Sequence, residues 1–483
     1  MIPAARRQFS RARKQTAYCP KLVENLQMRF KAIFLLSVLA ASITGCTTYH
    51  PLQLDDKVTL ITSVSHLTVD THAMPFQFLA AHKFDPSDGL DMTEVAMLAV
   101  ANNPDLKLAR DDAGIGHAQA FAAGLLPDPQ LNLTRDIPLQ TAPGVVKAYS
   151  AGVGFDFGSL ITHAASSSAG RFDSQKIDLN LLWQEWQVVA RSRQLFSRAI
   201  AQENLLRWLA DSRDLLAERY AKAKSALDDG NLASDAVNST LSAWQDASRQ
   251  VSDLQRQQLQ TRHNLNALLG LSPEAELKLV AGEVVGVPDD KEVEQAISNL
   301  PTRRPDLLAL KAGYAAEDAR YRQAILAQFP PFNLGFTRSS DNFGVAMEGV
   351  AMSIALPIFN GNRGNIRIEE ATRQRLHDEY QIRLAGTYAD VKRLVADSSL
   401  IATQLQNSEA SLDTIDHASA NAAQAFADGD LDWNGYAVFQ SSRIARHVEI
   451  TGLRQALLEN RIALLALLGG NFDNRTTATE KHQ

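Results

Sequence analysis

Cysteine is nearly absent: 2 of 483 residues, Cys19 and Cys46. Two thiols cannot build a disulfide framework, and neither sits in a Cys-x-x-Cys or Cys/His cluster that would read as a metal site. That there are only 7 methionines besides argues against a relay of soft metal ligands as well. Proline is missing from two long tracts, between Pro143 and Pro273 and after Pro357, so nothing there breaks a helix. No HExxH, GxSxG or P-loop pattern occurs, and the expectation is a protein that is not an enzyme and holds no cofactor. The glycines of "GVGFDFG" (152–158) fall inside a strand-like alternation, not a phosphate loop. Bases are outnumbered by acids, 48 to 54, which makes nucleic acid a poor partner.

What is present begins at the N-terminus. Arg29 and Lys31 precede an apolar stretch from Ala32 to Ala41, and small residues follow to Gly45. That is a secretory signal layout, too short for a membrane-spanning helix. Ile43-Thr44-Gly45-Cys46 resembles a bacterial lipobox, which implies cleavage before Cys46 and acylation of its thiol; a cleaved signal without lipid is the alternative. Met28 then reads as the start, with 1–27 an upstream extension. Removing 1–45 takes away 8 Lys/Arg and 1 Glu, leaving 40 bases against 53 acids, or −13 in place of −6.

The chain also repeats itself. "NPDLKLA" at Asn103 answers "RPDLLAL" at Arg304, with Pro104 and Pro305 201 apart. The same offset joins Pro129 to Pro330, Asn132-Leu133 to Asn333-Leu334, and Val153 to Ile354. "DGNL" (229–232) matches "DGDL" (428–431), and "ALLG" (267–270) matches "ALLG" (466–469), at 199. The expected units are a signal region 1–45, an N-terminal anchor segment 46–88, repeat 1 over 89–273, a linker 274–289, repeat 2 over 290–470 and a tail 471–483.

Each copy opens with a helix interrupted at its Asn-Pro or Arg-Pro step. Two short strands follow, near 131–133 and 149–157 in the first copy and near 332–336 and 350–356 in the second. Tyr149, Ala151, Val153, Phe155 and Phe157 share one face of their strand; Val350, Met352, Ile354 and Leu356 share one face of theirs. A very long helix comes next, from about Ser159 to Leu227, with a coiled-coil-like stripe through Leu182, Trp186, Val189, Phe196 and Ile200. It turns at "LDDGNLASD", with Gly230 at its C-cap and Ser234 or Asp235 as the next N-cap, and returns to Gly270. The second copy does the same from about Gly364 to Gly469, turning at "FADGDLDW". The fold class is mainly α with a small β part.

Strands of this length suit a tilted crossing of a membrane, but four cannot close a barrel, for which the smallest count is about eight. Several chains must therefore each donate four. The helices, with runs such as "RSRQLFSRAIAQEN", are too polar for lipid and must extend into water.

On these features the sequence resembles the TolC-like outer-membrane efflux proteins over 89–470. The carriers are the twofold repeat, the opening "LDMTEVAMLAVANNPDLKLARDDAGIGHAQAFAAGLLPDPQL", and "IALPIFNGNRGNIRIEEA" at the junction of fourth strand and long helix. The first copy departs, having Asp156 where the second has Pro357. "LLWQEWQ" is similar to the lipoprotein subgroup serving metal-type pumps. The resemblance implies a homotrimer whose 12-stranded barrel continues into an α-helical tunnel across the periplasm of a Gram-negative bacterium. It implies a lipid-anchored exit duct that works with a periplasmic adaptor and an inner-membrane transporter of the RND type. The competing reading is a periplasmic coiled-coil structural lipoprotein, which would have no use for the alternating strands.

Within that resemblance the helix-turn tips are the candidate docking sites for the adaptor: Leu227, Gly230 and Leu232 in the first copy, Phe426, Gly429 and Leu431 in the second. Plain helix capping accounts equally for the two glycines. Asp235 and Asp432, just past the tips, are candidate gate residues, with helix-dipole stabilisation as the plainer role. His66, His72 and His82 lie near one another in sequence but match no metal-ligand spacing, and solvated loops are expected there.

Overall fold

The computed structural model describes residues 48–58, 60–140, 142–281 and 290–469. Cys46, the signal region, residues 282–289 and the tail lie outside the described residues. The chain divides into two units, Met1–Thr59 and Leu60–Gln483. In the first, residues 48–58 are exposed and form no helix or strand. All the elements below belong to the second.

Each copy begins with a helix pair: α1 (Met92–Asn102) and α2 (Pro104–Ala123), then later α5 (Asp290–Arg303) and α6 (Pro305–Leu326). Pro104 and Pro305 occupy the first helical turn, where proline costs no hydrogen bond. The residue before each proline is extended and ties its copy together. Asn103 accepts from Leu106 N–H and donates to Leu268 O, each at 2.9 Å. Arg304 donates to Leu467 O at 3.2 Å, forks onto Asp306 at 2.8 and 2.6 Å, and lies over the Trp183 ring. Leu268 and Leu467 are themselves separated by the repeat offset of 199. Two different side chains thus fasten the helix break to the end of the same copy's return helix.

Strands β1 (Gln130–Asp136), β2 (Ala148–Asp156), β3 (Phe332–Ser340) and β4 (Ala346–Ile354) form one antiparallel sheet in the order β1-β2-β3-β4. Directly paired residues point to the same face. The register therefore stacks Leu131, Val153, Phe336 and Val350 in one row, and Phe155, Leu334 and Met352 in the next. A third pairs Phe332 with Ile354. The other face carries Asn132, Gly152, Gly154, Asn333, Gly335, Thr337, Ala351 and Ser353. On the apolar face a single row toward the loop end holds an ion pair, Arg338 to Glu348 at 3.5 Å.

From the sheet run the long helices: α3 (Gly158–Asp228), α4 (Ser234–Leu268), α7 (Arg363–Ala410), α8 (Leu412–Asp428) and α9 (Trp433–Leu468). At 71 residues, α3 is roughly 100 Å long. It starts directly off β2 because Asp156 accepts from Gly158 N–H at 2.8 Å. The second copy uses an irregular turn instead, with Asn362 left-handed at φ 55° before α7. The single long helix expected there is interrupted: Ser411 separates α7 from α8. Near the sheet the helices pack side by side as α2, α3, α6 and α7. Gly170 makes the first contact possible, since a Cβ there would meet Ala120 O at 2.6 Å. Farther out α4 and α9 flank α3.

Two apolar clusters hold this frame. One joins Val95 and Leu98 of α1, Leu195 and Phe196 of α3, Leu265 of α4 and Leu465 of α9, with Leu271 and Ala275 beyond α4. The other joins Val293 and Leu300 of α5, Leu307 of α6, Val391 of α7 and Leu468 of α9. Residues 271–281 are anchored by bridges of Leu271 to Ile61 and of Leu279 to Leu90. His82 bonds Asp91, the N-cap of α1, at 3.0 Å, while His72 is exposed. Among the described residues no three His, Cys, Asp or Glu side chains converge as a metal site.

Candidate functional site

The two helical hairpins end in glycine turns. Gly230 follows the last residues of α3 at φ +75°, and Gly429 ends α8 at φ +84°, conformations that disfavour any residue with a Cβ. Open space surrounds both α-carbons, so conformation and not crowding selects glycine. Phe426 is 36% exposed, while Leu227, Leu232 and Leu431 are half-buried. Leu431 folds back over Gly435, whose hypothetical Cβ would lie 2.6 Å from its Cδ1. The tips thus offer one aromatic and three partly covered leucines.

The aspartates beside the tips cap helices. Asp432 is the N-cap of α9 and accepts from Gly435 N–H at 2.8 Å. In the first copy neither Ser234 nor Asp235 is the N-cap. Ala233 takes that position without a side-chain bond, because Ser234 already has helical geometry. Asp235 lies in the first turn and accepts from Ala236 N–H at 2.9 Å. Both carboxylates are exposed and sit at the positive end of a helix dipole.

The hairpins are joined close to their tips by residues that sequence reasoning missed. Trp433, the first residue of α9, donates its indole N–H to Glu218 of α3 at 3.0 Å. Lys222, paired with Glu218 at 3.4 Å, lies over the rings of both Trp433 and Phe426. Phe426 in turn stacks on Tyr436, with ring centroids 5.0 Å apart. Trp433 and Tyr436 were a visible signal: two aromatics one helical turn apart, immediately after a turn, in a chain that is 7% aromatic. Glu218 and Lys222 carried none, since an i,i+4 pair is ordinary on a helix surface.

A second junction lies farther from the tips. His447 of α9 stacks on Trp208 of α3 at 4.0 Å, and both His447 and Arg443 bond Asp416 of α8 at 3.3 and 2.9 Å. Burial pushes the Asp416 carboxyl up, but the hydrogen bonds and charges of Arg443 and His447 outweigh it and hold the group below the usual carboxylate range. Together the two junctions set the second hairpin against the first.

At the opposite end, the apolar face of the sheet is open in the single chain: Leu133, Val350 and Met352 are 69%, 72% and 63% exposed. Further apolar side chains just beyond the strands in the chain, Phe329, Leu356, Ile358 and Phe359, are exposed as well. A contiguous apolar surface of this kind marks contact with lipid or with protein. No described helix is long and apolar enough to cross a membrane.

Comparison with known proteins agrees with this geometry. Residues 296–470 match the family model described as Outer membrane efflux protein. The chain is 26% identical over 217 residues to the "Probable outer membrane lipoprotein SilC" of Salmonella typhimurium; the match covers 41% of this chain and about half of SilC, 47%. Among solved structures it superposes on CusC with a TM-score of 0.63 at 19% identity, covering 81% of this chain and 96% of that one. For the outer-membrane channel OprN the TM-score is 0.66 at 16% identity, over 88% and 99% of the two chains. For VceC of Vibrio cholerae it is 0.63 at 15%, over 79% and 97%.

Proposed function

We infer from its place among the TolC-like outer-membrane efflux proteins that the chain is an outer-membrane exit duct, one of three copies that conduct exported substrate passively out of the cell. The observation that carries this reading is the sheet. Four strands with one continuous apolar face and one small, polar face have the outward-apolar, inward-polar alternation of a membrane barrel. The order β1-β2-β3-β4 leaves β1 and β4 as free edges, so copies join head to tail and the ring closes. Three copies supply twelve strands. The polar helices, including roughly 100 Å of α3, then carry the duct into the periplasm, and Cys46 anchors it as an acylated N-terminus.

The tips at Leu227, Gly230, Leu232, Phe426, Gly429 and Leu431 form the free end of the duct and dock a periplasmic adaptor, which links it to an inner-membrane transporter of the RND type. Asp235 and Asp432 stand at that entrance, and their charge favours cations. Purified protein in detergent should run as three chains in native mass spectrometry and form conducting pores in planar bilayers. A stable monomer without conductance would refute the duct. Mass spectrometry of the mature chain should find acyl groups on Cys46; an unmodified thiol would remove the anchor alone.

A further inference from the structure

Just below the sheet, a carboxyl group is buried away from the tips and from the apolar face. Glu317 of α6 is 4% exposed. Its Oε2 accepts from Arg320 at 3.3 Å, but Oε1 is buried and meets no donor. The side chain lies against the carboxyl of Glu369 on α7. Glu369 is half-buried and lines an open cleft of ≈ 380 Å³ together with Asp173, Arg320, Asn362 and Asn365. The other charges around the pair do not relieve it. Arg320 is shared with Asp173 of α3. Arg373 of α7 is spent on Asp318, which also holds Arg322. Lys176 of α3 packs its methylene stem along Gly313, one turn away. Two acids, Asp173 and Glu317, thus share Arg320, and Glu369 stands beside them in the same cleft.

A buried carboxylate oxygen without a donor costs free energy unless it carries the proton itself. We propose that Glu317 and Glu369 form a proton-binding site, in which a protonated Glu317 donates to Glu369 and fastens α7 to α6 at the neck between sheet and helices. The neighbours agree: burial, then the bond and charge of Glu369, push Glu317 up to about 7 against the pull of Arg320. The first copy has Gly116 where the second has Glu317, at the offset of 201, so the device belongs to the second copy alone. It acts on α7, one of the two outer helices of the row α2, α3, α6, α7.

The linkage has a definite sign. A carboxyl whose pKa is raised by folding stabilises the fold fully below its free value of 4.5 and loses that contribution as pH rises through about 7. Hydrogen exchange of the purified full-length protein in detergent reads this locally and needs no transport assay, so it stands or falls apart from the duct. After correction for intrinsic rates, protection of the α7 amides 366–376 should fall between pH 5 and 7 by up to about tenfold per pH unit, the limit for one proton. Glu317→Gln, whose amide donates to Glu369 at every pH, should flatten that profile and raise protection at pH 8 above wild type. Glu369→Gln should flatten it too. An unaltered profile in both variants, a flat wild-type profile, or failure of both neutral variants to fold would overturn the proposal.

Discussion

Replacing Met352 by lysine should keep the chain out of the membrane, and the cost can be worked from the register. Met352 is the middle of the outward run Val350, Met352, Ile354 on β4. The Arg338–Glu348 pair marks the rim of that face. Met352 lies four residues from Glu348, or about 13 Å along a strand at ~3.3 Å per residue. With a tilt of ~40° this is about 10 Å below the rim, near the middle of an apolar band ~25 Å tall. A lysine at that depth costs about 2–4 kcal/mol, a shift of roughly 30- to 700-fold in the folding equilibrium of each chain. The penalty recurs in every copy of a ring. Ala351→Lys places the same charge one residue away on the small, polar face and should cost little. Denaturant titration of refolding into vesicles, followed by the yield of assembled oligomer, compares the two. Equal losses, or a greater loss at Ala351, would refute the assignment of faces.

Gly429→Val and Gly230→Val force a β-branched residue into positive φ, at roughly 1–2 kcal/mol each, and should abolish adaptor capture in pull-downs while oligomers still assemble in the membrane; intact capture by both would clear the tips. Trp433→Phe removes the indole bond to Glu218 and should raise single-pore conductance or open time in planar bilayers, with no loss of assembly. Asp432→Asn keeps a capping side chain but removes charge, so together with Asp235→Asn it should shift reversal potentials under a salt gradient toward lower cation preference. That effect must shrink with ionic strength, since at about 0.1 M such fields decay over roughly 10 Å. An anion-preferring wild-type pore would sink the charge argument altogether.

The architecture was legible because it is written twice. Pro104 and Pro305 fixed both helix breaks, and alternation at Val153 and Ile354 fixed the faces of β2 and β4. The extents were harder: β3 reaches Ser340 and β4 begins at Ala346, because the Arg338–Glu348 row breaks the apolar pattern that sequence reading follows. The interruption at Ser411 left no trace, as serine is ordinary inside a helix. Ser234 and Asp235 looked like caps, yet the cap is Ala233, decided by backbone geometry. Bonds between distant elements were beyond reach. Nothing in the spacing of Glu218 and Trp433, 215 apart, or of Glu317 and Glu369 joins them. These contacts exist only after the helices are laid side by side.

The free edges of the sheet also dictate how the protein comes into being. β1 and β4, seven and nine residues long, each turn a row of amide and carbonyl groups outward. In hydrocarbon every such group left alone costs several kcal/mol, so a solitary chain has no tolerable way to enter a bilayer and wait for its neighbours. In water the same edges invite pairing with any passing strand. For the duct proposed above, meeting, zipping and insertion are therefore a single event, and the rate at which pores appear should climb more steeply than linearly with the concentration of chains.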